Sequence, residues 1–143
     1  MNYQLLGLEP RLFESLFDLD EPALASRGMR RVRVDAPVGY PCRISLEDAP
    51  IGEEVLLLPF THQDSRSPYR ASGPIFVRRG QRAAARVVGA LPPYLTRRPL
   101  SVRAYDAADE MVDAEVVDGA EADSVIQRYL ARDDVSYLHI HFA

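Results

Sequence analysis

The chain has 143 residues, a length that fits one domain around a single hydrophobic core, and its 47% hydrophobic and 27% charged residues are ordinary for a soluble globular protein. All 17 basic residues are arginine, which excludes lysine Schiff bases, lysine-linked pyridoxal and the Walker-type phosphate loop, and no apolar run nears the ~20 residues of a membrane span. A net charge of −4 without an aromatic-interleaved basic motif speaks against nucleic acid, and a lone Cys42 with no visible signal peptide predicts a reducing, cytoplasmic setting.

Tyr3 to Leu8 reads as a short strand. Glu9-Pro10 opens a helical turn through Phe17, and Asp20 is the expected N-cap of a second short helix that Gly28 ends. Met29 to Asp35 alternates Arg with Val, and Cys42 to Leu46 alternates again, so both are predicted strands. Val55 to Phe60 is the longest apolar run and should be the most buried strand, with Pro59 marking a bulge or an end. A polar loop of 13 residues is expected between His62 and Pro74, longer than most connections in compact domains. Ile75 to Arg79 follows as a strand, and Gly80 to Val88 fits either a helix or an exposed connection. Leu100 to Tyr105 and Met111 to Val117 form a hairpin around Asp106 to Asp109, a helix covers roughly Glu121 to Arg132, and Val135 to Phe142 closes as a strand. This order predicts a single α+β domain: a mainly antiparallel sheet, two short N-terminal helices, and one longer C-terminal helix before the last strand. The final β-α-β could add one parallel pair.

Period-2 alternation puts His139 and His141, two of the three histidines, on one face of the last strand, with Leu138, Ile140 and Phe142 on the other. Such a pair presents two imidazoles to a metal, or an acid and a base to a substrate. His139, His141 and His62, with Cys42 as a fourth candidate, make up the expected metal set for a divalent ion; the alternative is that the strand histidines lie on a solvated face or pack against helices. No other cofactor is indicated. Residues 27–103 carry 14 arginines against 6 acids, while the flanks carry 3 against 15. Arg43, Arg70 and Arg78 could therefore converge with His62, Tyr69, His139 and His141 on an anionic small molecule under the polar loop. The competing reading pairs these arginines with Glu53, Glu54 and Asp64 and makes Tyr69 an anchor for its loop. Cys42, in an apolar strand, reads as a buried, inert thiol ahead of a nucleophile. The adjacent carboxylates Glu53-Glu54 and Asp133-Asp134 point to opposite sides of an extended chain and cannot work as an acid-base pair.

Three functions stay open. The first is a small ligand-binding domain for an anion, the second an enzyme using His62, His139 and His141 as metal ligands or as acid and base, and the third a homodimeric interaction module joined through an exposed strand. No catalytic residue is assigned by any motif.

Four segments in order, Gly39-Tyr40-Pro41-Cys42-Arg43-Ile44-Ser45-Leu46, Gly52-Glu53-Glu54-Val55-Leu56-Leu57-Leu58, Ser67-Pro68-Tyr69-Arg70-Ala71-Ser72-Gly73-Pro74-Ile75-Phe76-Val77-Arg78 and His139-Ile140-His141, resemble an uncharacterised bacterial family catalogued as domain of unknown function 1203. The resemblance covers nearly the whole length and implies no activity, cofactor or partner. Members of that family run on past the H-x-H into a short tail containing Gly and Cys, where this sequence has Ala143.

Overall fold

Short alternating segments separated by turn residues become ten strands, which the computed structural model, describing residues 3–143, arranges in three sheets. The fold is α+β with mostly antiparallel pairing, as expected. By Cα proximity the chain forms two compact units interleaved along the sequence, one with Tyr3, residues 63–71 and 88–143, the other with residues 4–62 and 72–87.

The second of these begins with β1 (Gln4–Leu6), two 3-10 turns at Pro10–Leu12 and Glu14–Asp18, and α1 (Glu21–Ser26). Asp20 caps α1 by accepting the Ala23 N–H at 2.9 Å, and Gly28 leaves it at φ 73°, a left-handed conformation open to glycine without strain. Strands β2 (Arg30–Arg33), β3 (Pro41–Cys42), β4 (Glu47–Asp48), β5 (Glu54–Gln63) and β6 (Ala71–Arg78) make a five-stranded sheet in the order β2-β5-β6-β3-β4, and β7 (Arg86–Val88) pairs with β1. Phe13, Phe17 and Leu24 from the N-terminal turns pack on Cys42, Ile44, Leu56, Leu58, Ile75 and Val77.

Here the structure corrects two readings. The expected strand from Cys42 to Leu46 stops after Cys42, because the chain folds around the thiol: Sγ accepts the N–H groups of Ile44 and Ser45 at 3.4 Å and of Arg78 at 3.3 Å, and Leu46 turns at φ 55° to bond the Cys42 carbonyl. The expected 13-residue loop shrinks to residues 64–70, because β5 and β6 extend into polar sequence and the Thr61 and Ser72 hydroxyls bond across them at 2.8 Å. Pro59 does not end β5; it lies beyond the stretch that β2 pairs, which is Glu54 to Leu57, so its missing N–H interrupts no bond on that side.

In the other unit, α2 (Pro93–Thr96) precedes a three-stranded antiparallel sheet of β8 (Pro99–Tyr105), β9 (Met111–Asp118) and β10 (Tyr137–Phe142), with β8 in the centre and α3 (Ala122–Leu130) following β9. Val102 and Ala104 of β8 bury against Val125, Ile126 and Tyr129 of α3, joined by Leu138 and Ile140. The parallel pair considered for the final β-α-β does not form. Helix α3 carries the chain past β9 to the far edge of β8, where β10 runs antiparallel, and β3 pairs parallel with β6 instead.

Candidate functional site

Antiparallel register determines what surrounds the two strand histidines. His139 sits directly opposite Arg103 and His141 opposite Ser101, while Tyr137 faces Tyr105. Directly opposed side chains share a sheet face with Cβ atoms ~4.5–5.5 Å apart. Tyr137, His139 and His141 of β10 therefore stand beside Tyr105, Arg103 and Ser101 of β8 on the face away from α3. Leu138, Ile140 and Phe142 occupy the other face, half-buried. Phe142 meets Tyr94 edge-on at 5.2 Å under the Arg98 guanidinium.

The His139 and His141 ring centroids are 6.0 Å apart, and His139 lies 4.9 Å from the Tyr105 ring and 5.4 Å from that of Tyr137. Tyr105 and Tyr137 stack within 12° of parallel, at 5.2 Å. The Tyr137 hydroxyl is fixed at both ends. It donates to Asp109 Oδ1 at 2.6 Å and accepts from Gln63 Nε2 at 2.9 Å. Asp109 reaches it from the β8–β9 turn with a positive φ of 62°. Gln63 is the buried polar side chain of the molecule's described residues, at 4% exposure. Burial first, and the Asp109 bond second, raise the Tyr137 pKa above the ordinary phenol value, and the Gln63 donation opposes them. Tyr137 is thus a held wall for the histidine beside it.

His139 and His141 can each offer one ring nitrogen, the two atoms within 4.8 Å of each other; His62 is the penultimate residue of β5, in the other unit. All three are half-buried. A tetrahedral zinc ion with ~2.0–2.1 Å bonds spaces its nitrogens roughly 3.4 Å apart, so small ring rotations close the strand pair on an ion. Cys42, buried and engaged by three backbone N–H groups, serves the turn that follows it.

The arginines and Tyr69 of the expected anion site have local partners. Arg70 bonds Asp64, both largely exposed. Arg78 makes a bidentate pair with Glu53 at 2.8 Å through both Nε and Nη2. Arg43 donates to the Pro41 carbonyl at 3.0 Å. Tyr69 is 40% exposed, its N–H bonded to Ser67 Oγ. Along the basic middle of the chain Arg31 likewise meets Glu21 and Glu54, and in the acidic C-terminal flank Arg132 holds Asp113 and Asp134. Most of these pairs form within one segment; Arg31–Glu21 joins the basic middle to an acidic flank.

One arginine escaped the sequence reading. Arg103 has a single hydrogen bond among the described residues, from Nε to Ser101 Oγ at 3.2 Å, and no acid pairs with it. Its strand was legible as half of a hairpin, but nothing short of the β8–β10 register sets it against His139.

The molecule is defined at this point as an α+β protein with a histidine, tyrosine and arginine face on its C-terminal sheet. The chain belongs to the family described as protein of unknown function DUF1203, whose profile matches residues 39–143. No curated protein and no solved structure matches it significantly.

Proposed function

We propose that this protein binds a late first-row transition-metal ion through His139 and His141 and uses the remaining coordination positions for a small ligand. The observation that supports this reading is the placement of two imidazole nitrogens on one strand face within 4.8 Å of each other. The donor set is wholly nitrogen. Neutral imidazoles suit zinc, copper, nickel or iron, whereas magnesium and calcium require oxygen ligands. Two protein ligands on a four- or five-coordinate ion leave places for water or substrate, whereas structural zinc sites are closed by four protein ligands. An ion so placed acts as a Lewis acid and activates bound water. The Tyr105 and Tyr137 rings beside His139 limit its rotation, which favours a fixed ligand geometry. The setting we assign is the bacterial cytoplasm, supported by the single buried cysteine and by the family resemblance; no helix is long and apolar enough to cross a membrane.

Elemental analysis of the purified protein and calorimetric titration with zinc, nickel and copper test the reading. Near-stoichiometric binding that falls at least tenfold in His139→Ala and His141→Ala is expected. A metal-free preparation with no saturable binding of any of the three ions below millimolar concentration overturns it.

A further inference from the structure

We infer that Arg103 is the anion-recognition residue of the histidine site, and that the ligand completing the metal's coordination is a small oxyanion bridging the ion and the Arg103 guanidinium. This rests on the metal reading above and names the chemistry of what binds there.

Arg103 lies opposite His139 in the β8–β10 register, on the sheet face that carries both strand histidines. Its Nε is spent on Ser101 Oγ, and among the described residues the two terminal amino groups meet no carboxylate. This contrasts with Arg31, Arg70, Arg78, Arg79, Arg128 and Arg132, each of which is ion-paired. What sets Arg103 apart is its place, opposite a histidine of the proposed site, where a second positive charge would bind. Two cations within a few ångströms repel unless an anion lies between them, and a half-buried site screens that repulsion less than open water does. A guanidinium presents parallel N–H donors that match two oxygens of a carboxylate or a phosphate-type group. One oxygen of the same anion can occupy an open metal position. The Ser101 contact orients the fork, and the stacked Tyr105 and Tyr137 rings bound the space on the other side of His139. A bound oxyanion therefore relieves the repulsion and completes both coordination shells at once. Metal and anion should strengthen each other's binding by the same factor, because their coupling is reciprocal.

The test uses the full chain loaded with cobalt(II), whose visible absorption reports its coordination, titrated with acetate and separately with sulfate at constant chloride. Wild type should bind at least one of them saturably, the two arms separating a planar carboxylate from a tetrahedral oxyanion. Arg103→Gln should weaken that binding about ten- to a hundredfold, the size of a charge-assisted pair. Arg103→Lys should recover part of it, keeping the charge without the fork. Cobalt affinity without oxyanion should be unchanged or higher in Arg103→Gln, which a variant that merely failed to fold would not show. Cobalt binding with oxyanion affinities equal in wild type and Arg103→Gln, or with neither anion bound, overturns the role of Arg103 and leaves the metal reading standing. Absence of cobalt binding in wild type removes both.

Discussion

Tyr137→Phe deletes one oxygen and separates the two hydrogen bonds that hold the wall of the histidine site. Gln63 Nε2, 2.9 Å from that oxygen, belongs to a side chain only 4% exposed, so water does not readily replace the lost acceptor. An orphaned buried donor costs ~1–3 kcal/mol. The Asp109 end is more open, and loss of a bond that water can remake costs ~0.5–1.5 kcal/mol. Ring stacking on Tyr105 survives, because the substitution keeps the ring. The sum is about 1.5–4.5 kcal/mol, which at a urea m-value of ~2 kcal/mol/M lowers the unfolding midpoint by roughly 1–2 M. Circular dichroism in urea reads this directly. Combining Tyr137→Phe with Gln63→Leu should cost less than the two singles added together, with a coupling of ~1 kcal/mol or more, since the second change removes the donor that the first orphans. A midpoint unchanged within ~0.5 kcal/mol, or strictly additive singles, refutes the assignment of that hydroxyl as the joint between Gln63 and Asp109.

Gly119→Ala would place a Cβ 2.1 Å from the Leu95 carbonyl oxygen and 2.5 Å from that of Arg98, and Gly7→Ala one 2.1 Å from the Ile44 carbonyl oxygen. Each obstacle is backbone, so each variant should lose ~3 kcal/mol or more by thermal unfolding, the upper range of overpacking. Ultraviolet titration of the seven tyrosines should show Tyr129 ionising at about 12, pushed up by burial and then by the charges of Asp113 and Glu115, and Tyr3 well above the ordinary value through burial and Asp123. Both values are raised in the folded state, so their stabilisation is full below pH ~10 and is lost as pH climbs through the folded values; Tyr3→Phe and Tyr129→Phe should flatten the alkaline limb of the stability curve. Asp113 and Asp134 are held below the usual carboxylate value chiefly by hydrogen bonds from Arg132, so their contribution is present above pH ~4 and fades as pH falls through the lowered values, and Arg132→Gln should make acid unfolding less steep. Ile140→Ala, half-buried on the α3 side, should cost ~1–3 kcal/mol by denaturant midpoint, while His139→Ala and His141→Ala on the opposite face cost less than ~1 kcal/mol in metal-free protein.

Local periodicity was a good guide wherever one face of an element meets a core. The Leu100–Tyr105 and Met111–Val117 hairpin appears within a residue at either end, and Val125, Ile126 and Tyr129 point inward from α3 as their spacing requires. It failed where polar groups set the path. Residues 43 to 46 alternate like a strand, yet the Cys42 sulfur gathers the N–H groups of the next turn, a choice invisible to hydrophobicity. Gln63 and Ser72 look like loop and are strand, because their hydrogen bonds are cross-strand, to Thr61, or lead to Tyr137. The H-x-H was legible from alternation alone, but the arginines nearest to mind by sequence, Arg43, Arg70 and Arg78, are occupied by local carbonyls and acids.

What alternation leaves open is which strand lies beside the histidines, and that choice decides the chemistry of their face. Had β10 joined the sheet at β9, as a parallel partner, its neighbours on that face would have been drawn from Ala114 and Val116, the residues of β9 aligned with Arg103 and Ser101. Two imidazoles beside two aliphatic side chains could hold a metal but would offer no charge to whatever else coordinated it. Because α3 takes the chain past β9 to the open edge of β8, His139 instead meets the one strand in this sheet with an arginine in its middle. The helix length and the packing of Val125, Ile126 and Tyr129 on Val102 and Ala104 fix that crossing. The recognition chemistry proposed for the histidine face is therefore set by hydrophobic contacts on the opposite side of the sheet.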